Sequence, residues 1–131
     1  MTNKRFQNGE QVIEKWNRVF RALSAEPRRQ LLVALLDTAP EQSISLPESA
    51  INPTVPHSPN SLRSELAHSH LPLLEEMGFI EWESTPLVAF RGPRFREVAV
   101  VLELLHSNVD QVPEALVTGC KRLEEERHFS E

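Results

Sequence analysis

The sequence predicts a mainly α, α+β fold in a single domain spanning residues 1–131, and three observations carry that expectation. Apolar residues recur at helical spacing over 10–23, 25–37, 60–77, 94–107 and 111–127. One stretch of period-two alternation lies between the third and fourth of these segments. Five of the ten prolines fall within 38–60, which excludes a long helix there.

Each element has its own warrant. Val12, Ile13, Trp16, Val19, Phe20 and Leu23 share one face of the first helix. Ser24 stands where an N-cap for the second helix is expected, Pro27 is tolerated in its first turn, and Leu31, Leu32, Leu35 and Leu36 turn inward. This helix stops near Asp37-Thr38-Ala39-Pro40. Residues 45–51 read as a short helix capped by Ser45, and 52–59 as a stiff, partly extended loop. The helix over 60–77 ends at Gly78 in the C′ position and is bent by Pro72, which lacks an N–H. Leu62, Leu66, Ala67, His70, Leu71, Leu73, Leu74 and Met77 fill about half its circumference, so it packs against two or more elements. Residues 79–83 and 87–91 alternate, and Ser84-Thr85-Pro86 joins them into a β-hairpin. In the next helix Phe95, Val98, Val101, Leu102 and Leu105 turn inward, and in the last Val112, Leu116, Val117, Cys120 and Leu123. Trp16 and Trp82 lie on apolar stripes and read as core, Cys120 as a small core residue, and 121–126 as a solvated helix end.

Composition narrows the function classes. A single Cys excludes a disulfide framework and a thiolate zinc site within one chain. No apolar run approaches the ~18 residues needed to cross a bilayer. Met1-Thr2-Asn3-Lys4-Arg5 leads into an amphipathic stretch rather than an apolar signal core, so a cytoplasmic protein is expected. The formal charge of −5 argues against nonspecific coating of nucleic acid. Charge is unevenly spread, however: residues 1–30 are net basic and residues 97–131 net acidic, so an anionic partner fits at one end only.

The order helix, helix, short helix, helix, hairpin, helix is that of a winged helix-turn-helix with a two-stranded wing over 10–92 and additional C-terminal helices over 93–127. Two stretches then resemble the ArsR-like winged-helix regulators. Residues 20–32, Phe-Arg-Ala-Leu-Ser-Ala-Glu-Pro-Arg-Arg-Gln-Leu-Leu, resemble the opening of that family's domain. Residues 70–80, His-Leu-Pro-Leu-Leu-Glu-Glu-Met-Gly-Phe-Ile, resemble the end of its recognition helix. The Pro after His-Leu and the Arg-poor entry into the wing are similar to the ArsR-like domains abundant in halophilic archaea.

The resemblance implies a sequence-specific, DNA-binding transcription regulator whose 60–77 helix enters the major groove. Carried over by position, the outward residues are Ser61, Ser64, Glu65, His68 and Ser69, with Arg63 at the edge of the arc. Arg91, Arg94 and Arg96 at the base of the wing, and Arg28 and Arg29 in the first turn of the second helix, complete the candidate DNA-binding set. Arg94 and Arg96 sit near a helix N-terminus, where the macrodipole disfavours cations, and this points to a ligand-facing role. The wing tip departs from the family pattern: it is Ser84-Thr85-Pro86 between Glu81, Glu83 and an apolar strand, without Arg or Lys.

A homodimer is expected, because the 10–23 helix and the C-terminal helices carry more apolar surface than a three-helix core needs; the resemblance implies the same elements for pairing. Metal sensing is not expected: the 60–77 helix has no Cys, and His68 and His70 lie about 200° apart on it. His106, Asp110 and Glu114 could meet only across a dimer, and His70 reads as a half-buried packing residue. No cofactor and no catalysis are expected, since glycine-rich phosphate loops, nucleophile elbows and paired apolar-site carboxylates are all missing. The alternative expectation is a winged-helix protein-interaction module that has lost DNA binding.

Overall fold

The amphipathic N-terminal stretch forms α1, Asn3–Leu23, and the Leu-rich stretch after it forms α2, Glu26–Leu36. These come from a computed structural model, which describes residues 3–56, 58–118 and 120–130, with side chains except at 3–6, 121, 122 and 128–130. The corner between them is built differently from the sequence expectation. Ala25 is the N-cap of α2 and makes no side-chain cap bond. The Ser24 hydroxyl instead donates back to the Arg21 carbonyl, closing the end of α1.

After α2 comes an element that the sequence conceals. Ile44–Ser45 forms β1, and Glu48–Ala50 a single 3-10 turn in place of the expected Ser45-capped helix. Two residues are too short to show a period, and their partner is supplied from far along the chain. β1 pairs antiparallel with β3, Leu87–Arg91, which pairs with β2, Ile80–Ser84. The expected two-stranded hairpin is therefore two thirds of a three-stranded antiparallel sheet in the order β1-β3-β2. Among the described residues the structure is mostly helical with this one small sheet, an α+β fold.

Between β1 and β2 runs α3, three abutting segments with continuous right-handed backbone: Pro59–Glu65, Leu66–His70 and Leu71–Glu76. The middle one is π-helical. Pro72 explains it: in an α-helix its ring would crowd the carbonyl four residues back, and it has no N–H to offer. Widening the preceding turn passes the Leu71 N–H to the Leu66 carbonyl, so the mismatch appears as a π turn. α3 closes with the Gly78 N–H on the Glu75 carbonyl and the Phe79 N–H on the Leu74 carbonyl, a Schellman pair that needs Gly78 at φ +81°.

α4, Phe95–Ser107, follows a tight junction at Gly92, where any Cβ would stand 2.6 Å from the Gly78 carbonyl oxygen. The expected last helix over 111–127 is broken into a 3-10 turn at Val109–Gln111, α5 at Glu114–Val117 and α6 at Lys121–Ser130. Val112, Pro113 and Thr118 adopt extended ψ angles near 130°, and Pro113 cannot donate to a continuing helix. Leu31, Leu32 and Leu35 of α2, Leu66, Leu71 and Leu74 of α3, Phe79, Ile80 and Ala89 of the sheet, and Val98 and Leu102 of α4 form the core. Trp16 is not in it: it is 49% exposed and stacks on Phe20 with ring centroids 5.7 Å apart. Trp82 packs against the core half-buried. No described helix is long and apolar enough to cross a membrane.

Candidate functional site

α3 carries the candidate surface. Ser58 caps it, its hydroxyl accepting from the Ser61 N–H, with Pro59 pre-set at the first position. Ser61, Arg63, Ser64, Glu65, His68 and Ser69 are exposed, Leu62 and Ala67 half-buried, and Leu66 and His70 buried. The polar row thus faces solvent along the first half of the helix while the opposite row enters the core.

His70 does more than pack. It is 7% exposed, and the Arg28 Nη1 lies 2.8 Å from its Nδ1. A guanidinium can only donate, so Nδ1 is the acceptor and the ring proton sits on Nε2. Nε2 in turn donates to Glu65 Oε2 at 2.9 Å. Glu65 and His70 are five residues apart and span the π segment. Glu65 remains half exposed, but one of its oxygens is engaged at the flank of α3 rather than free over a groove.

Arg28 is the clearest departure from the candidate DNA-binding set. It is buried, and its remaining bonds run from Nε to the Ala22 carbonyl and from Nη2 to the Arg21 carbonyl and the Ser24 hydroxyl. Burial, and then the nearby Arg21 and Arg29 cations, lower its pKa from the ordinary guanidinium value. Arg29 stays exposed while Nη1 donates to the Leu23 carbonyl. Arg91 is likewise turned inward: Nε and Nη2 reach the carbonyls of Leu35, Leu36 and Thr38, and its guanidinium lies 4.8 Å over the Phe95 ring. These two arginines are caps for the ends of α1 and α2, which corrects their assignment to a DNA face.

The exposed cations do not form one patch. Arg94 and Arg96 are exposed, with the Arg94 stem against Gly78 at the C-terminal end of α3. Arg63 lies fifteen residues earlier on that helix, roughly 22 Å at 1.5 Å per residue. Acids lie nearer: Glu26 and Glu65 both line a cleft of about 240 Å3 beside the start of α3, floored by Ala50, Ile51 and Leu62. Glu81 and Glu83 are exposed on β2, beside the neutral exposed tip Ser84-Thr85-Pro86.

Elsewhere, His106 Nδ1 and Glu126 Oε2 are 2.8 Å apart, tying α6 to α4 through a residue expected on a solvated helix end. Among the described residues no three His, Cys, Asp or Glu side chains stand together in a way that could hold a metal ion. Sequence reasoning missed the Arg28–His70 link, since 42 residues separate the partners. No family model, curated protein or solved structure matches the chain.

Proposed function

We propose that this chain is a non-catalytic, cytoplasmic, sequence-specific DNA-binding transcription regulator of the winged helix-turn-helix type, acting as a homodimer. The observation that carries the reading is α3, whose outward row of Ser61, Arg63, Ser64, His68 and Ser69 is polar and exposed while Leu66, His70, Leu71 and Leu74 hold it on the core. A helix presented this way, followed directly by a hairpin, suits insertion into a major groove. The resemblance of residues 20–32 and 70–80 to ArsR-like regulators supports the same assignment. Pairing would use Ile13, Trp16 and Phe20 of α1 with Val100 and Leu104 of α4, all exposed apolar residues. Recognition helices in a two-fold pair would read successive grooves about 34 Å apart.

With few outward cations, binding in this reading leans on base edges and shape more than on phosphate charge. Titrating fragments of the native promoter region at several salt concentrations is expected to show binding that weakens modestly as salt rises. Replacing Arg63 and His68 together by Ala is expected to weaken it about tenfold or more without unfolding the chain. Unchanged affinity would defeat the helix assignment, and no binding to any fragment at low salt would defeat the DNA reading. The monomer mass by light scattering at micromolar concentration would defeat the pairing.

A second reading, a winged-helix protein-interaction module, is favoured by one observation. The edge strand β2 presents exposed Glu81 and Glu83, and the tip beside them has no cation to meet phosphate.

A further inference from the structure

Glu65 and His70 meet across the π turn of α3, and that turn is what allows the contact. Five residues advance about 140° beyond a full turn of an α-helix, so a pair at this spacing ordinarily lies on different faces. A turn closed by an i→i+5 bond returns the fifth residue to the side of the first. Here the Leu71 N–H bonds the Leu66 carbonyl, one residue along from the pair. Glu65, from the exposed row, thereby reaches His70, from the buried row, with Oε2 and Nε2 2.9 Å apart. Behind the ring, the Arg28 Nη1 bond at 2.8 Å keeps the ring proton on Nε2, facing Glu65. A guanidinium, a neutral imidazole and a carboxylate sum to no net charge. The other acid lining the cleft at the start of α3 is held in the same manner: Glu26 Oε2 accepts from Nδ2 of buried Asn52 at 2.8 Å.

We propose that His70, fixed by Arg28, is a positioning residue for the DNA face: it holds the Glu65 carboxylate at the flank of α3, out of the row of Ser61, Ser64 and His68. This rests on the DNA reading, and adds to it how a carboxylate is tolerated on the helix that enters the groove. A free carboxylate in that row stands beside phosphate oxygens and opposes binding. The same group tied to a buried ring, with a cation behind that ring, opposes it less. The tie needs both partners of the ring. Arg28 can only donate, so it fixes the tautomer, and the tautomer supplies the donor that Glu65 accepts from.

Affinity for a promoter fragment is measured for the unaltered chain, Glu65→Gln, His70→Asn and the double variant. Asn keeps an oxygen near the place of Nδ1 to accept from Arg28, but has no donor that reaches Glu65. Glu65→Gln alone is expected to change affinity less than about twofold, and His70→Asn to weaken it about fivefold, the repulsion of two unit charges about 4 Å apart in water. Glu65→Gln is expected to restore most of that loss in the His70→Asn chain. A purely structural His70 predicts the same loss with Glu or Gln at position 65, and that result would overturn the proposal. So would a change of about fivefold or more, in either direction, on Glu65→Gln alone, a variant at an exposed position that does not test folding. Without DNA, the His70 ring is followed by 15N–1H resonances at neutral pH. A proton on Nε2 whose signal shifts on Glu65→Ala is expected; a proton on Nδ1, or a signal that Glu65→Ala leaves in place, would overturn the holding contact. Absence of binding by the unaltered chain would instead defeat the DNA reading, and the positioning role with it, while the ring signal still reports the contact.

Discussion

The starts of α2 and α4 hold arginines in similarly unfavourable places, yet Arg28, in the first turn of α2, is turned inward and Arg94, at the N-cap of α4, outward. Both sit at a helix start, where the macrodipole repels a cation. What differs is the state of the helix end beside each. α1 ends without a glycine; the Ser24 N–H and hydroxyl take the Arg21 carbonyl, which Arg28 shares, Arg28 also takes that of Ala22, and Arg29 takes that of Leu23. α3 ends at Gly78, whose left-handed backbone lets main-chain N–H groups close the Glu75 and Leu74 carbonyls. Arg94 is therefore left with no helix end to cap. Arg91 repeats the first case at the end of α2, where no glycine follows and three carbonyls accept from one guanidinium. Whether a neighbouring helix is already capped decides which arginines stay free for a ligand.

The largest break in this contrast is expected at Arg28. Arg28→Met keeps an apolar stem but strands the Ala22 carbonyl and His70 Nδ1 in the interior, so unfolding free energy is expected to fall by about 3 kcal/mol. Urea denaturation reads it from the midpoint; a loss under about 1 kcal/mol would mean the guanidinium is not the cap. Arg28→Lys is expected to recover little, because one ammonium cannot span acceptors on α1 and α3 together. Arg91→Leu comes next. Its carbonyl partners lie nearer the surface and can turn to water, so a loss of about 1.5 kcal/mol is expected, again by urea.

The same contrast marks where the sequence stops being legible. Long amphipathic rows and the alternating pair 79–83 and 87–91 place α2 to α4, the hairpin and the end of α1 to within a few residues, because burial follows local period, whereas α1 begins at Asn3 in a polar stretch before the expected 10–23. β1 escapes, since Ile44 and Ser45 gain strand geometry only from Ala89 and Val88 opposite them. The C-terminal break escapes in part because Val112, Leu116, Val117 and Cys120 still look like one face when Pro113 is passed over. Trp16 misleads for another reason: periodicity marks an apolar arc but not how much of it the same chain covers. In the candidate site, the exposed serines, Arg63 and His68 follow from helical projection. The roles of Arg28, Arg91 and His70 do not, being set by contacts with residues up to 56 positions away.

The smallest effects are expected at the outward cations, and they sharpen the contrast most. Arg63 and Arg96 are exposed, and among the described residues neither side chain makes a hydrogen bond or ion pair. Arg63→Ala and Arg96→Ala are each expected to change unfolding free energy by less than about 0.5 kcal/mol, since exposed positions without a cap or buried partner rarely do more. If phosphate contact is their role, each substitution also lowers the dependence of DNA affinity on salt by about one unit of the log–log slope. A loss of stability near that of Arg91→Leu would place them with the caps instead. An unchanged slope with unchanged stability would leave the outward arginines outside both groups and transfer the weight of the interface to Ser61, Ser64 and His68.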